Sequence, residues 1–269
     1  MRAIAKSCAV RRAALVLCAI WLAEPACAQT LLRVGKSVPE AFSFVPLDVG
    51  MRYGLFKKYG VDIESSALGG GGRLQQAMAA DGVDFGLGSG PEMAAIVKGS
   101  PVKAVAAMAG APRLLALVVR PDAGIATVDD LRARKVGVTT INSLTAWLVR
   151  ELGRQKGWGP EGIALTPLGA TPGLVAAMKT RQIDGLVADI ATLLRLEEAG
   201  DGKILLRFGN LVTDFHIHVI FATDKIIAAR PDAIRSFLKG WFDSIAFMRT
   251  NKAKTVEVAM EVGHINRRI

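Results

Sequence analysis

The chain has 269 residues and a formal net charge of +10 at pH 7. Its three cysteines, Cys8, Cys18 and Cys27, all precede Gln29, so a chain that starts at Gln29 contains none. This excludes disulfide bonds, thiolate catalysis and cysteine-ligated metals from such a chain. The basic residues form no run, which argues against a nucleic-acid partner and fits weak attraction to small anions.

The first 28 residues have the three-part layout of a secretory signal peptide. Basic residues precede an apolar run over residues 13–23, and the small residues Ala26 and Ala28 fit cleavage before Gln29. The apolar run is too short to anchor the chain across a bilayer. We therefore expect export to the periplasm, with lipid attachment at Cys27 as the less favoured alternative.

The rest of the chain alternates strand-like and helix-like segments. Predicted strands span residues 31–35, 61–65, 102–108, 114–119, 135–139, 163–168, 185–188, 203–208 and 215–222. Predicted helices span residues 47–56, 73–80, 128–134, 144–155, 172–182, 191–199 and 232–249. Such alternation predicts an α/β fold with largely parallel sheets and right-handed crossovers.

A turn signal at residues 120–124, which contains Pro121 and Gly124, interrupts this α/β pattern. We predict one lobe from residues 29–119 and 218–269 and a second lobe from residues 120–217. The chain would then pass twice between the lobes, and the two extended crossings would form a hinge.

Residues 84–95 predict a strand that ends in a turn of small residues and opens directly into a helix. Phe85 and Leu87 alternate with small residues, Ser89 or Gly90 can cap the helix, and Pro91 fits its first turn. Ligands in open α/β sheets bind at the carboxyl ends of strands, where helix N-termini favour negative charge. This turn therefore predicts a cleft for a small ligand.

Several segments occur in an order and spacing that resemble the substrate-binding proteins of ABC importers of the nitrate, sulfonate and taurine type. They are residues 50–63, the glycine-rich turn before residues 74–78, and residues 82–86, 127–131, 135–138 and 182–185. The resemblance covers residues 31–249 and implies a two-lobed periplasmic-binding-protein fold of type II. It also implies a non-catalytic monomer that needs no cofactor, binds a small solute in the inter-lobe cleft and delivers it to a membrane permease and its ATPase.

The resemblance places the ligand contacts in the loop 37–44, the turns 70–73 and 140–143, and the ends of two strands. The residues expected at the site are Ser37, Phe42, Phe44, Gly70, Gly71, Arg73, Ser89, Gly90, Thr140, Asn142, Ser143, Asp189 and His216. Some of these side chains have an ordinary alternative role, because Ser89, Asp189 and one of Thr140, Asn142 and Ser143 also fit as helix N-caps. Arg73 would pair with an anionic ligand or point to solvent. His216 and His218 have a spacing that could bind a metal, but the chain holds too few further ligands to predict a zinc site.

The ligand is predicted to be a small anion, such as a sulfonate, nitrate or an organic acid, from the helix N-termini at the cleft and the basic charge balance. One alternative is an enzyme of pyrimidine or menaquinone precursor biosynthesis on the same scaffold, with Asp189 or His216 as acid or base. The thiamine-type enzymes use a cysteine-rich motif that this chain lacks after Gln29. A periplasmic sensor that docks on a membrane receptor is a further alternative.

Overall fold

The computed structural model describes residues 29–264, so the predicted signal peptide lies outside the described residues. The strands are β1 (Thr30–Lys36), β2 (Val61–Ala67), β3 (Phe85–Ser89), β4 (Val102–Ala109), β5 (Leu115–Val119), β6 (Lys135–Val138), β7 (Ala164–Pro167), β8 (Gly185–Asp189), β9 (Lys203–Arg207) and β10 (His218–Thr223). The helices are α1 (Val45–Arg52), α2 (Gly71–Ala79), α3 (Met93–Val97), α4 (Leu144–Gln155), α5 (Thr171–Lys179), α6 (Ile190–Glu198), α7 (Asp224–Ala229), α8 (Pro231–Thr250) and α9 (Lys252–Val262). Within residues 29–264, we find no helix with the length and apolar character that a membrane span requires.

The strands form two five-stranded sheets of the same pattern. The first sheet has the order β2-β1-β3-β10-β4, and the second has the order β7-β6-β8-β5-β9. In the first sheet β1 is parallel to β2 and β3, whereas β10 is antiparallel to β3 and β4. In the second sheet β5 is the antiparallel strand. The antiparallel strands β5 and β10 are the first strands that the chain forms after it passes from one sheet to the other.

The predicted boundary between the lobes was wrong at its first crossing. β5 was assigned to the first lobe, but it pairs with β8 and β9 of the second sheet. The chain therefore passes between the sheets within residues 110–114. The turn at residues 120–124 belongs to the second half, where Arg120 donates to the backbone oxygen of Ile183 and pairs with Asp184. It marks the end of a strand and not a lobe boundary.

Side chains close in sequence cap the starts of α4, α6 and α7. Ser143 caps α4 by accepting a hydrogen bond from the Ala146 backbone N–H. The predicted helix over residues 128–134 is only a 3-10 turn, Val128–Leu131, although Thr127 and Asp130 form a capping box at its start. Arg132, with a ψ of 128°, ends the helical geometry, and Ala133 follows with a φ of 61°.

Each sheet is buried on both faces by apolar side chains. One face of the first sheet packs against α8, where Phe237 stacks on Phe85 with ring centroids 4.3 Å apart. Its other face packs against α2 through Leu74 and Met78. The second sheet is covered by α4 on one face and by α5 and α6 on the other. Two separately packed cores leave the space between the sheets free for a cavity.

Candidate functional site

An enclosed cavity of about 50 Å³ lies between the two halves of the molecule. Its polar lining consists of Ser37, Glu40, Ser89, Glu92, Thr139, Ser143, Thr145, Thr171, Asp189 and His218. Its apolar lining includes Val38, Leu115 and Val187. Most of these residues lie at the carboxyl ends of strands or at helix N-termini, as expected for ligand sites in open α/β sheets.

The two halves touch beside this cavity, where the glycine-rich start of α2 meets the turn after β6. The Gly72 backbone N–H donates a 3.1 Å hydrogen bond to Thr140 Oγ1. Gly70 has a φ of +140°, and a Cβ placed there would lie 2.5 Å from the Thr140 methyl carbon. Only glycine combines this backbone conformation with such a close approach. The glycine turn therefore forms a direct contact between the halves.

Glu92 is a buried carboxyl in the first half of the lining, with a side chain wedged between two glycines. It accepts hydrogen bonds from the Ser89 backbone N–H at 2.5 Å and the Ser89 hydroxyl at 2.8 Å, which completes a capping box. A Cβ at Gly71 or Gly88 would fall within 2.1 Å of its oxygens. Burial raises the pKa of Glu92 to about 7, and the Ser89 hydrogen bonds oppose this rise.

Asp189 and Glu40 face the cavity from opposite halves. Asp189 ends β8 and caps α6, accepting from the Ala191 backbone N–H at 3.3 Å. Burial raises the pKa of Asp189 to about 7, and the negative charge of Glu40 contributes to this rise. Glu40 is only 8% exposed, yet its side chain makes no hydrogen bond or ion pair with another residue of the 29–264 range.

His218 begins β10 and is the buried histidine of the lining. Its Nδ1 lies 2.5 Å from the Ser43 hydroxyl, and its ring meets Phe44 edge to face with centroids 4.8 Å apart. Burial lowers the pKa of His218 to about 3, so the ring is neutral at physiological pH. It can therefore serve the site as a hydrogen-bonding group but not as a cation.

We expect His218→Gln to make the protein less sensitive to acid. The pKa of His218 is about 6.5 in the unfolded chain and about 3 in the folded chain. Below pH 6.5 the unfolded chain therefore binds a proton that the folded chain does not bind until about pH 3, so the unfolding free energy falls as the pH falls over this interval. Between pH 7.5 and 4.5, the wild-type protein should lose about 2–3 kcal/mol more unfolding free energy than the variant. Urea unfolding at the two pH values measures this difference.

The matched control is His216→Gln, since His216 is exposed and lies outside the cavity lining. This variant should keep the acid sensitivity of the wild-type protein. Equal acid sensitivity of His218→Gln and wild type would contradict the assignment of a neutral buried ring.

The charge of the lining does not fit the predicted anionic ligand. The lining holds three carboxyl groups and neither lysine nor arginine. Lys36 is buried nearby in the chain, but its Nζ pairs with Asp48 at 2.9 Å. The net positive charge of the chain is therefore located elsewhere than at the cavity.

The residues predicted from the sequence fall into three groups. Ser37, Gly71, Ser89, Ser143 and Asp189 line the cavity. Gly70 and Thr140 lie at the contact between the halves. Phe42, Phe44, Gly90, Arg73, Asn142 and His216 lie outside the lining.

The side chains of this last group lie elsewhere in the structure. Phe44 is fully buried in the core, and Phe42 packs beside the contact of α1 with α9. Gly90 lies beneath the second crossing, since a Cβ there would be 2.3 Å from the His216 backbone oxygen. Arg73 and Asn142 are exposed.

His216 was expected at the site, within the predicted strand over residues 215–222. β10 begins only at His218, so residues 215–217 lie outside the strand and the predicted alternation does not reach His216. The side chain that lines the cavity is His218.

The sequence analysis did not predict several residues of the lining, or predicted only the loop that contains them. Glu40 lies within the predicted loop 37–44 but was not singled out, and neither were Glu92 or Thr139, while His218 was considered only as a metal ligand. The spacing of Ser89 and Glu92 is that of a capping box, which would have indicated where this carboxyl points. Within residues 29–264, no group of His, Cys, Asp or Glu side chains is arranged to hold a metal ion.

A second cavity of about 480 Å³ adjoins the first and shares Glu92 and Ser143 with it. It is more open to solvent and is lined by α2, α3 and α4. Both side-chain polar atoms of Gln75 in this wall are buried without a hydrogen-bond partner in the described part of the chain. Trp147 in the opposite wall stacks on Phe215, with centroids 4.5 Å apart.

Two mixed α/β sheets, joined by two crossings around a cavity, define a protein of the periplasmic-binding-protein class, as the resemblance implied. The family is shown by its sequence: the NMT1/THI5-like family profile matches residues 41–254, and the chain belongs to this family. No curated protein sequence matches the chain.

Solved structures resemble the chain over most of its length. A protein from Bordetella bronchiseptica RB50 has a TM-score of 0.78 and 19% identity, and the match covers 89% of this chain and 79% of that one. The alkanesulfonate-binding protein SsuA from Xanthomonas axonopodis pv. citri, bound to MOPS, has a TM-score of 0.74, 16% identity and coverage of 88% and 80%. The periplasmic nitrate-binding protein NrtA from Synechocystis PCC 6803 has a TM-score of 0.71, 16% identity and coverage of 86% and 66%. These similarities establish the periplasmic-binding-protein fold.

Proposed function

We propose that the protein is a periplasmic solute-binding receptor that captures a small molecule between its two halves and delivers it to an ABC permease. The observation that carries this proposal is the cavity itself, which is enclosed by polar groups from both halves. Ser37, Ser89 and Glu92 come from the first half, and Thr139 and Asp189 come from the second. A ligand held by both sets of groups joins the halves.

The contact of the glycine turn with Thr140 gives this capture a structural basis. A ligand shifts the equilibrium between open and closed forms only by its difference in affinity for the two forms. Contacts that exist in the closed form alone provide that difference. In the open form, Gly72 would lose its hydrogen bond to Thr140 and the ligand would keep only the contacts of one half.

The named structural neighbours are mostly binding proteins, which supports a receptor over an enzyme. The family name also includes THI5, so we retain the biosynthetic enzyme as the alternative function. Its chemistry would use the carboxyl groups of the cavity, since their pKa values near 7 suit proton transfer at neutral pH.

A thermal-shift screen of the chain from Gln29 tests the proposal. The panel contains nitrate, alkanesulfonates, taurine, organic acids, pyrimidines and small amines. A ligand at one hundred times its dissociation constant adds about 2.7 kcal/mol of stability, which is a rise in Tm of about 5–10 °C for a chain of this size. Such a rise, together with compaction in small-angle X-ray scattering and no product in the mixture, is the result expected of a receptor. Turnover of a panel compound would show an enzyme instead.

A further inference from the structure

Resting on the proposed receptor function, we propose that the ligand carries a protonated nitrogen, and that Glu40 and Asp189 hold this cation between the two halves. The ligand class is therefore small ammonium compounds and not the anions predicted from the net charge. The basis is the charge, burial and placement of the two side chains.

The carboxyl groups of the cavity have no ion-pair partner among the described residues, although Glu92 and Asp189 accept hydrogen bonds. None of the ion pairs among residues 29–264 includes Glu40, Glu92 or Asp189, whereas Asp84, another buried acid, pairs with Arg33 at 2.9 Å. Buried charges in proteins are usually paired or bound to a cation. A cationic ligand would supply the missing partner.

Glu40 provides the most direct evidence, because it is buried and unpartnered. Its side chain lines the cavity, is 8% exposed and makes no hydrogen bond within the described chain. Glu92, in contrast, has both oxygens engaged by Ser89. A buried carboxyl group that accepts no hydrogen bond from the protein is costly to keep in such a place. Glu40 is therefore free to accept N–H bonds from a ligand.

The placement of the pair couples cation binding to closure. Glu40 belongs to the loop after β1 in the first half, and Asp189 ends β8 in the second half. Two carboxylates that approach one another from opposite halves repel, and this repulsion opposes the closed form when the cavity is empty. An ammonium group between them adds two attractions that outweigh the one repulsion, so the cation favours the closed form.

The remaining walls suit a small ammonium ion. Ser37 and Thr171 supply hydroxyl oxygens that can accept further N–H bonds, while Val38, Leu115 and Val187 can contact the carbon atoms of the ligand. Ethylammonium carries one ammonium group and a short carbon chain that suit these walls, and it is the probe that we choose.

Isothermal titration calorimetry at pH 8 with ethylammonium, acetamide, nitrate and methanesulfonate tests the proposal. We expect ethylammonium to bind more tightly than acetamide and both anions to the wild-type protein. Glu40→Gln and Asp189→Asn keep the shape of each side chain and remove its charge, and each should weaken ethylammonium binding at least tenfold. Asn also preserves the N-cap of α6.

The control is Glu161→Gln, which removes the same charge from an exposed residue outside the cavity lining. It should bind ethylammonium as the wild-type protein does. Urea unfolding of all four proteins verifies folding, and Glu40→Gln without ligand should be at least as stable as the wild-type protein because the repulsion is removed.

Tighter binding of nitrate, methanesulfonate or acetamide than of ethylammonium would overturn the cationic ligand and leave the receptor function standing. Unchanged ethylammonium affinity in both Glu40→Gln and Asp189→Asn would also overturn the cationic ligand. So would the absence of ethylammonium binding at about 10 mM, a concentration at which a ligand of millimolar affinity would bind. Turnover of a compound of the wider screen would overturn the receptor function itself.

Discussion

Gly70→Ala is expected to weaken ligand binding roughly 5- to 150-fold without removing any group that lines the cavity. The new Cβ would lie 2.5 Å from the Thr140 methyl carbon in the closed form, and this distance is too short for two carbon atoms. Overpacking of this kind costs about 1–3 kcal/mol, and the cost falls on the closed form because the two residues belong to different halves. Calorimetric titration with any ligand from the screen measures the loss.

Two variants separate this clash from backbone strain. Gly99→Ala introduces alanine at a positive φ of 87° with no atom within 4 Å of its Cβ, so it should strain the backbone and leave ligand affinity unchanged. Thr140→Ser removes the methyl group that clashes and keeps the hydroxyl that accepts from Gly72. The double variant Gly70→Ala with Thr140→Ser should therefore recover part of the lost affinity. Equal losses in Gly70→Ala and Gly99→Ala would contradict a contact specific to the closed form.

Phe237→Ala is expected to lower the unfolding free energy by about 3–5 kcal/mol, the usual cost of deleting a fully buried ring. Phe237 on α8 is 0% exposed and stacks on Phe85 of β3 and on Phe56, with centroids 4.3 and 5.4 Å apart. The substitution would leave a void where α8 covers the first sheet. Urea unfolding should show a lower midpoint with an unchanged m-value.

The matched control lies on the same helix. Phe242 is 57% exposed, so Phe242→Ala should change the unfolding free energy by no more than about 0.5 kcal/mol. A loss of similar size in both variants would show that helix propensity and not core packing sets the stability of α8.

The carboxyl groups of the cavity show that the net charge of a chain does not predict the charge of its binding site. The basic charge balance, together with the helix N-termini expected at the cleft, led to the prediction of an anionic ligand. The basic residues are dispersed, whereas Glu40, Glu92 and Asp189 converge on the cavity. Net charge describes the whole surface and does not describe a site that long-range folding assembles. The local charge of the lining is therefore the better guide to the ligand.

The sequence by itself determined the order of strands and helices and several of their ends. Ser143 and Asp189 act as N-caps because a cap depends on residues only two or three positions away. The turn after β3 was predicted for the same reason. Its small residues and Pro91 are local signals.

Tertiary structure alone decided which sheet β5 joins, which histidine reaches the cavity, and that Glu40 faces Asp189. Each of these depends on partners far away in the chain: β5 pairs with strands that begin about seventy or more residues later, at Gly185 and Lys203. Strand pairing and the approach of the two halves are set by burial over the whole molecule, which local spacing does not encode.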